Sequence, residues 1–335
     1  MNIFVTMRLP SLSFLVRKSA LVSGIVLASL LAILLILGAI PVSTGDLVSK
    51  SDPATSYSDS ARRIQAVRDA ESGLVCDICG TRFYTHGDKT KKAVVLIHGL
   101  TNSPRQFQEI GEKLYSDGYN VLIPRMPYHG LTTHTVSELG NLKTSDLQAF
   151  ADSVADMAGG LGEQVTVVGL SGGGTVAAEI AQTRGDIDKV VLIAPLFGLS
   201  GVPQPADTFL GNLFSRIPNI NVNSSSEPPR ASVYLGWSSR GVAEYLLFSH
   251  VARPPDGVAA PAVKNIVLIT NANDHTVNND MSKLVVTEWE NAGARVTRYE
   301  FDRSLGLPHD YIDITGVGNR SQWVYPIVIG QIESD

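Results

Sequence analysis

Apolar runs rich in β-branched residues alternate with segments of helical spacing from residue 92 to the end of the chain. The first run, Ala93–Ile97, is uninterrupted by polar residues, which is typical of a strand buried on both faces. The predicted strands cover residues 92–98, 120–124, 164–170, 189–194, 265–270 and 295–301. Helical spacing between them predicts an α/β fold: a mostly parallel central sheet with helices on both faces. Ligands of such sheets bind at the carboxyl ends of the strands.

The alternation is interrupted between about residues 197 and 261. A loop of this length without structure of its own is uncommon in a compact domain. The stretch also carries many large apolar side chains, namely Phe209, Leu213, Phe214, Trp237, Tyr245, Leu246, Leu247 and Phe248. We therefore expect a small helical insert that packs on the main core, placed between the sixth and seventh strands.

Residues 20–40 contain no charged side chain, and a helix of that length spans the ~30 Å hydrocarbon layer of a membrane. Basic residues precede this run and no acidic residue occurs before Asp46, which predicts a cytoplasmic N-terminus and an extracytoplasmic remainder. The chain then divides into a basic N-terminus (1–19), a transmembrane anchor (20–40), a flexible linker (41–57) and one folded domain (58–335). A cleaved signal peptide, with a weak cleavage match at Ser43-Thr44-Gly45, is the alternative and would give a secreted protein.

Charge and cysteine content exclude several classes of protein. The net charge is -5, whereas a nucleic-acid partner requires dense Lys and Arg. The only two cysteines, Cys76 and Cys79, form a C-x-x-C pair that cannot fill a tetrahedral zinc site, so we expect no metal and no cofactor. Outside the cytoplasm this pair has two options, a local disulfide or two free thiols.

Gly169-Leu170-Ser171-Gly172-Gly173 matches G-x-S-x-G at the junction of a predicted strand and a predicted helix. A sharp turn there would hold Ser171 in a strained conformation, and Gly169 and Gly173 would let strand and helix approach closely. The start of the helix favours negative charge near the serine oxygen. Ser200, in the similar Gly198–Gly201 stretch, lacks the second glycine and the following helix. Ser171 is therefore the candidate nucleophile.

A nucleophilic serine needs a base, and the base needs an acid to orient it. On folds with this turn, the order along the chain is serine, acid, histidine. His309 follows the last strand and is the candidate base, and Asp274 follows the strand at 265–270 and is the candidate acid. Asp302, at the end of the last strand, is the alternative acid. Asp310 adjoins His309 and is not expected to reach around to its ring.

A tetrahedral intermediate also requires two N–H donors for its oxyanion. The residue after the nucleophile supplies one, the Gly172 N–H. The loop after the first strong strand supplies the other, which we assign to the Leu100 N–H. His98, in the same loop, is expected to shape the backbone rather than to transfer protons.

Four motifs together carry a family resemblance: His98–Pro104, Gly169–Gly173, Asn273–Val277 and Pro308–Asp310. Over residues 82–335 the chain resembles the α/β-hydrolase superfamily, specifically bacterial carboxylesterases and monoacylglycerol-lipase-like serine hydrolases. The resemblance implies a Ser171–His309–Asp274 triad that hydrolyses small acyl esters through an acyl-enzyme. It also implies that the insert is a lid whose inner face lines an acyl pocket. Asn271 departs from the glycine that many relatives have before the acid.

Two other functions are compatible with parts of this pattern. A peptidase or amidase could use the same triad, because the triad does not select the leaving group. It would need an acidic group for a substrate amine, and Glu227 in the insert is the candidate. A non-catalytic binding module is the second alternative, against which the intact motifs argue.

Overall fold

The computed structural model describes residues 12–44, 47–223, 232–253, 260–316 and 320–334, so that Glu227 lies outside the described residues. The helices are α1 (Leu12–Ala39), α2 (Tyr57–Glu71), α3 (Gln108–Ser116), α4 (Thr144–Ala158), α5 (Gly172–Thr183), α6 (Gln204–Phe214), α7 (Ser239–Ala252), α8 (Asn279–Asn291) and α9 (Ser321–Glu333). The strands are β1 (Arg82–Tyr84), β2 (Thr90–Ile97), β3 (Asn120–Ile123), β4 (Gly162–Leu170), β5 (Lys189–Ile193), β6 (Asn221–Asn223), β7 (Gly236–Ser238), β8 (Asn265–Asn271) and β9 (Arg295–Phe301). Short 3₁₀ helices cover Pro104–Phe107, Val136–Asn141 and Arg303–Leu305.

Seven strands form the central sheet in the order β1-β3-β2-β4-β5-β8-β9. Only β1 runs antiparallel to its neighbour, and the other pairs are parallel. Successive side chains of a strand point to opposite faces, so Val94 and Val95 enter two different cores. The core on the Val95 side includes side chains of α4, α5, α7 and α8, and the core on the Val94 side includes those of α3 and α9. The predicted α/β fold is confirmed.

The insert lies between β5 and β8, which are the fifth and sixth strands of this sheet. The expected position between the sixth and seventh strands was wrong by one, because only five described strands of the sheet, β1 to β5, precede the insert. Its described parts contain α6, the antiparallel pair β6–β7, and α7. Helix α7 packs on α5 and buries Tyr245 and Phe248 in the main core. The insert is therefore continuous with the domain's apolar interior.

Helix α1 begins at Leu12, before the predicted apolar run, and ends at Ala39. Within the described residues it is the one helix long and apolar enough to cross a membrane, over Ser19–Ala39. The segment after it differs from the flexible linker expected at 41–57. The Ser49 hydroxyl and the Lys50 N–H donate to Asp152 on α4, at 2.5 and 2.9 Å. Residues 49–54 thus lie along α4, where Ala54 is buried.

Cys76 and Cys79 form a disulfide, so the structure has the first of the two options left open for this pair. Cys79 is fully buried. The bridge closes the turn between α2 and β1, at the edge of the sheet away from β9.

Candidate active site

Ser171 sits at the junction of β4 and α5 with φ 55° and ψ -117°. A positive φ is strained for a residue with a side chain, and it persists only where the surroundings enforce it. A Cβ on Gly173 would overlap the carbonyl groups of Ile97 and His98, and one on Gly169 would overlap the Gly173 carbonyl. Strand, turn and helix therefore approach closely at these two glycines, with Ser171 at the carboxyl edge of the sheet.

His309 and Asp274 come together at the same edge. Asp274 follows β8, and its Oδ2 lies 2.7 Å from Nδ1 of His309. Its Oδ1 accepts the N–H groups of Thr276, at 2.8 Å, and Val277, at 3.2 Å. Burial acts to raise the pKa of Asp274, but the hydrogen bond and charge of His309 and these two N–H groups outweigh it, so that the pKa is lowered. The acid is therefore a carboxylate at neutral pH.

The other ring nitrogen of His309, Nε2, is buried and has no hydrogen-bond partner among the described residues. With the carboxylate of Asp274 beside Nδ1, the proton of the neutral ring belongs on Nδ1. The lone pair of Nε2 is then open to accept a proton. His309 and Ser171 line one cavity, so the acceptor and a hydroxyl donor share the same space.

The alternative acid, Asp302, and the neighbouring Asp310 are hydrogen-bonded to other groups. Asp302 is exposed, and its carboxylate accepts from the N–H and hydroxyl of Ser304 at the start of a 3₁₀ helix. Asp310 accepts the Gln106 amide at 2.8 Å and the Asn102 amide at 3.0 Å. Burial and the nearby Asp313 raise the pKa of Asp310. Neither contacts the His309 ring through a hydrogen bond in the described structure.

Two buried histidines hold the loop that carries Leu100. His98 Nε2 accepts the Met126 N–H at 3.1 Å, and its Nδ1 lies 2.9 Å from the Gly99 carbonyl oxygen. His129 Nε2 lies 2.6 Å from the Leu100 carbonyl oxygen. Burial holds the pKa of His98 well below its ordinary value and lowers that of His129 to about 4. Both rings are neutral at pH 7, so they position the backbone as expected for His98.

Sequence reasoning did not find His129 or Gln106. Gln106 accepts the Gly99 N–H at 2.8 Å with one end of its amide and donates to Asp310 with the other. For Gln106 the available signal was its position two residues after the His98–Pro104 motif, whereas His129 has no such proximity. Leu100 and Gly172, the two candidate oxyanion donors, lie on this loop and at the first residue of α5. The first N–H groups of a helix have no partner within it.

Comparison with known proteins shows what this chain is similar to. A family model described as serine aminopeptidase, S33, matches residues 88–244. A thermostable monoacylglycerol lipase of Bacillus sp. (strain H-257) is 32% identical over 156 residues, which are 42% of this chain and 58% of that lipase. The chain thus matches less than two thirds of that relative.

Solved structures show the same fold. One is from a study of two metagenome-derived lipolytic enzymes, LipS and LipT, with TM-score 0.57, 19% identity, and coverage of 77% of this chain and 98% of that one. Another is a soluble variant of monoglyceride lipase from Saccharomyces cerevisiae with a substrate analogue, with TM-score 0.56, 16% identity, and coverage of 76% and 91%. The chain has the α/β-hydrolase fold that these structures share. The family match at residues 88–244 includes Ser171 but ends before Asp274 and His309, whose placement therefore rests on the geometry.

The insert contributes side chains to the space around Ser171. A cavity of about 220 Å³ opens there, lined among others by Leu170, Leu196, Leu199, Trp237 and Val242. Trp237 and Val242 belong to the insert, and the ring of Tyr245 packs directly against Gly172. The lining is mainly apolar. The described residues include no group of three or more His, Cys, Asp or Glu that could hold a metal ion.

Proposed function

We propose that this α/β-hydrolase is a serine carboxylic-ester hydrolase that acts on uncharged acyl esters. Ser171 attacks the ester carbonyl carbon while His309 Nε2 takes the hydroxyl proton. His309 returns that proton to the leaving alcohol as the tetrahedral intermediate collapses to an acyl-enzyme. Water then repeats the sequence and releases the carboxylic acid. Asp274 holds the ring in the required tautomer, and the N–H groups of Leu100 and Gly172 stabilise the oxyanion.

The observation that carries this proposal is the unpartnered Nε2 of His309 at the cavity of Ser171. A buried nitrogen without a hydrogen bond costs free energy. Its other nitrogen is fixed 2.7 Å from Asp274. A histidine with one nitrogen fixed by a carboxylate and the other unpaired is suited to accept a proton during a reaction. A non-catalytic binding module gives no reason for the strained backbone of Ser171 beside this histidine.

The lining of the cavity supports an ester over an amine-bearing substrate. An aminopeptidase needs an anionic group near the reacting carbonyl to bind the substrate ammonium. Asp310 is the one carboxylate among the described lining residues, and the amides of Gln106 and Asn102 already occupy it. The apolar side chains instead suit an acyl chain, since each buried CH₂ contributes about 0.8 kcal/mol. A peptidase is the second candidate function, because the matching family model is described as serine aminopeptidase, S33.

A fluorophosphonate probe and two substrate series test the proposal. The wild-type chain is expected to label and to hydrolyse p-nitrophenyl acyl esters much faster than amino-acyl anilides. Ser171→Ala should abolish both labelling and hydrolysis. Ser200→Ala is the matched control, because Ser200 stands in the similar Gly198–Gly201 stretch and should react as wild type. Equal labelling of wild type and Ser171→Ala would refute the enzyme proposal, and faster anilide cleavage would favour the peptidase.

We further propose that α1 remains attached as a membrane anchor, with the domain outside the cytoplasm and the insert acting as a lid. Asn212 of α6 is buried, and its amide donates to the Gly38 carbonyl while its oxygen accepts the Val42 N–H. Cleavage near Ser43-Thr44-Gly45 would remove both partners. The intact mass of the protein extracted from membranes should therefore include residues 1–40, whereas a mass lacking them would show a signal peptide.

A further inference from the structure

The carboxyl end of α1 is bound to α6, the first helix of the insert. The Arg216 guanidinium donates to the carbonyl oxygens of Leu37 at 2.7 Å, Ile40 at 2.5 Å and Pro41 at 3.0 Å. Asn212 adds its two hydrogen bonds, to the Gly38 carbonyl and from the Val42 N–H, at 3.1 and 2.9 Å. We call this set of contacts the anchor joint.

Packing closes the anchor joint on its apolar side. The Phe209 ring lies so close to Gly38 that a Cβ at that position would overlap it. Gly38 is buried, whereas the apolar side chains from Leu21 to Ile36 are exposed along the helix. Within residues 19–39, whose side chains the structure describes, the helix therefore contacts the domain through its last turn. The apolar side chains from Leu21 to Ile36 are exposed, as a segment surrounded by lipid requires.

The chemistry of the joint suits the membrane–water boundary. The last four carbonyl groups of a helix have no partner inside the helix, and leaving them unpaired in lipid is costly. Arg216 and Asn212 satisfy carbonyls in this turn and next to it. Arginine is suited to such a boundary, because its apolar stem can lie along apolar surface while its guanidinium stays among polar groups. Helix α6 is thus held where α1 leaves the bilayer.

The insert also exposes an apolar edge directly after α6. Ile220 and Val222 are 50% and 39% exposed, and Trp237, the cross-strand partner of Val222, is 42% exposed. Ile220 follows Arg216 by four residues, so at most about 14 Å of chain separates this edge from the joint. Trp237 also lines the cavity that contains Ser171. The exposed edge is therefore continuous with the cavity at one side and close to the anchor at the other.

We propose that the anchor joint fixes the edge formed by Ile220, Val222 and Trp237 against the outer surface of the lipid bilayer, so that the cavity of Ser171 opens toward the membrane. This inference rests on the proposed function for its substrate: an acyl ester dissolved in the bilayer. A cavity of about 220 Å³ is below the ~300–1,000 Å³ of common ligand pockets, so a long acyl chain would extend beyond it. The remainder of that chain would stay in lipid beside the exposed edge.

Fluorescence quenching tests the orientation without relying on activity. The two native cysteines form a disulfide, so a single introduced cysteine is the only free thiol. The full chain carrying Ile220→Cys, labelled with an NBD fluorophore, is reconstituted into dioleoylphosphatidylcholine vesicles with and without nitroxide-labelled lipid. Leu284→Cys is the control, because Leu284 is a 40% exposed apolar residue on α8. Strong quenching at position 220 and weak quenching at 284 are expected, and equal quenching would overturn the proposal.

A glycine pair within α1 tests the joint itself. Gly38→Leu would force the Phe209 ring away, because a Cβ at Gly38 already overlaps it. A Cβ at Gly24 has no neighbouring atom within 4 Å, so Gly24→Leu is the control. In vesicles that contain 4-methylumbelliferyl oleate, Gly38→Leu should hydrolyse the ester about tenfold more slowly than wild type. Gly24→Leu should match wild type on this substrate. Both variants should hydrolyse water-soluble p-nitrophenyl butyrate at the wild-type rate.

The two substrates separate failure of this inference from failure of the proposed function. A wild-type chain that cleaves the soluble ester but not the ester in vesicles would overturn the orientation and leave the esterase intact. A Gly38→Leu variant that retains full activity on the vesicle ester would overturn the joint. Loss of both activities in Gly38→Leu would also overturn it, because the substitution would then act on the fold. A wild-type chain that cleaves neither ester would refute the proposed function, while the quenching result would still decide the orientation.

Discussion

Gln106 and Asp310 join the two loops that flank the candidate nucleophile. The Gln106 side-chain amide donates to Asp310 Oδ2 at 2.8 Å, and its oxygen accepts the Gly99 N–H at 2.8 Å. Asp310 is adjacent to His309, and Gly99 is adjacent to Leu100. One buried side chain therefore sets the separation between the candidate base and a candidate oxyanion donor.

Replacing Gln106 should impair catalysis more than folding. Gln106→Met keeps the length of the side chain but leaves the Gly99 N–H and Asp310 without this partner. The two loops can then move apart, which misplaces His309 and the Leu100 N–H, and each loss of about 1.4 kcal/mol of transition-state stabilisation is tenfold in rate. We expect kcat on p-nitrophenyl butyrate to fall about tenfold or more with KM nearly unchanged. Gln108→Met is the control, since the Gln108 side chain donates to Glu112 at the surface. An unaltered kcat in Gln106→Met would contradict the positioning role.

Asp274→Asn should show whether Asp274 or Asp302 is the acid that orients His309. The asparagine can present an N–H to His309 Nδ1, which favours the tautomer with its proton on Nε2. That tautomer cannot accept the Ser171 proton, and the known cost of this change in a serine triad is about 10⁴ in kcat. Asp302→Asn, at the other candidate acid, should keep the wild-type rate because Asp302 only caps Ser304. Ester hydrolysis at pH 7.5 decides between them, and a larger loss in Asp302→Asn would reverse the assignment.

The glycines at the turn predict a sharp contrast between two Gly→Ala substitutions. At Gly173 a Cβ would overlap the backbone carbonyls of Ile97 and His98, which cannot move without disturbing β2. We expect Gly173→Ala to lower stability by about 2 kcal/mol or more and to reduce labelling by a fluorophosphonate. Gly185→Ala meets nothing within 4 Å and should be close to neutral. Thermal unfolding of both variants measures the difference, and similar midpoints would show that the turn tolerates a side chain.

Features formed by residues that are neighbours in the chain could be predicted from the sequence. The turn at Ser171 follows from a strand, three glycines and a helix that are contiguous in the chain, and its strained φ agrees with that expectation. Asp274 and His309 meet because parallel strands bring their following loops to one edge of the sheet. The disulfide was one of two options that spacing alone could not separate.

Contacts between segments that lie far apart in the chain could not be predicted, because no local sequence pattern indicates them. Gln106 and Asp310 are 204 positions apart, and Arg216 and Leu37 are 179 apart, so neither pair shares a local motif. The linker was misjudged for the same reason. Its polar composition is typical of flexible segments, but Asp152 and Asp156 of α4 bind its backbone N–H groups. The insert was placed one strand too late, since only five described strands of the sheet precede it.

Glu179 on α5 links the stability of the fold to pH. Its Oε1 accepts from Gln148 at 2.6 Å and from Thr183 at 3.2 Å, while Oε2 is buried with no partner among the described residues. Burial raises the pKa of Glu179 to about 7, from an ordinary value of 4.5. The native state therefore binds more protons at this group than the unfolded state between those two pH values.

Because the native state holds the extra proton, the free energy of unfolding should fall as pH rises from 4.5 to about 7 and then level off. At about 1.4 kcal/mol per pKa unit, the fall due to Glu179 is roughly 3 kcal/mol. Glu179→Gln stays neutral at all these pH values, so most of this dependence should disappear. Urea unfolding of the full chain in detergent at pH 5 and pH 8 measures it, with exposed Glu163→Gln as the control. If Glu179→Gln and wild type lose equal stability over this range, another group binds the proton.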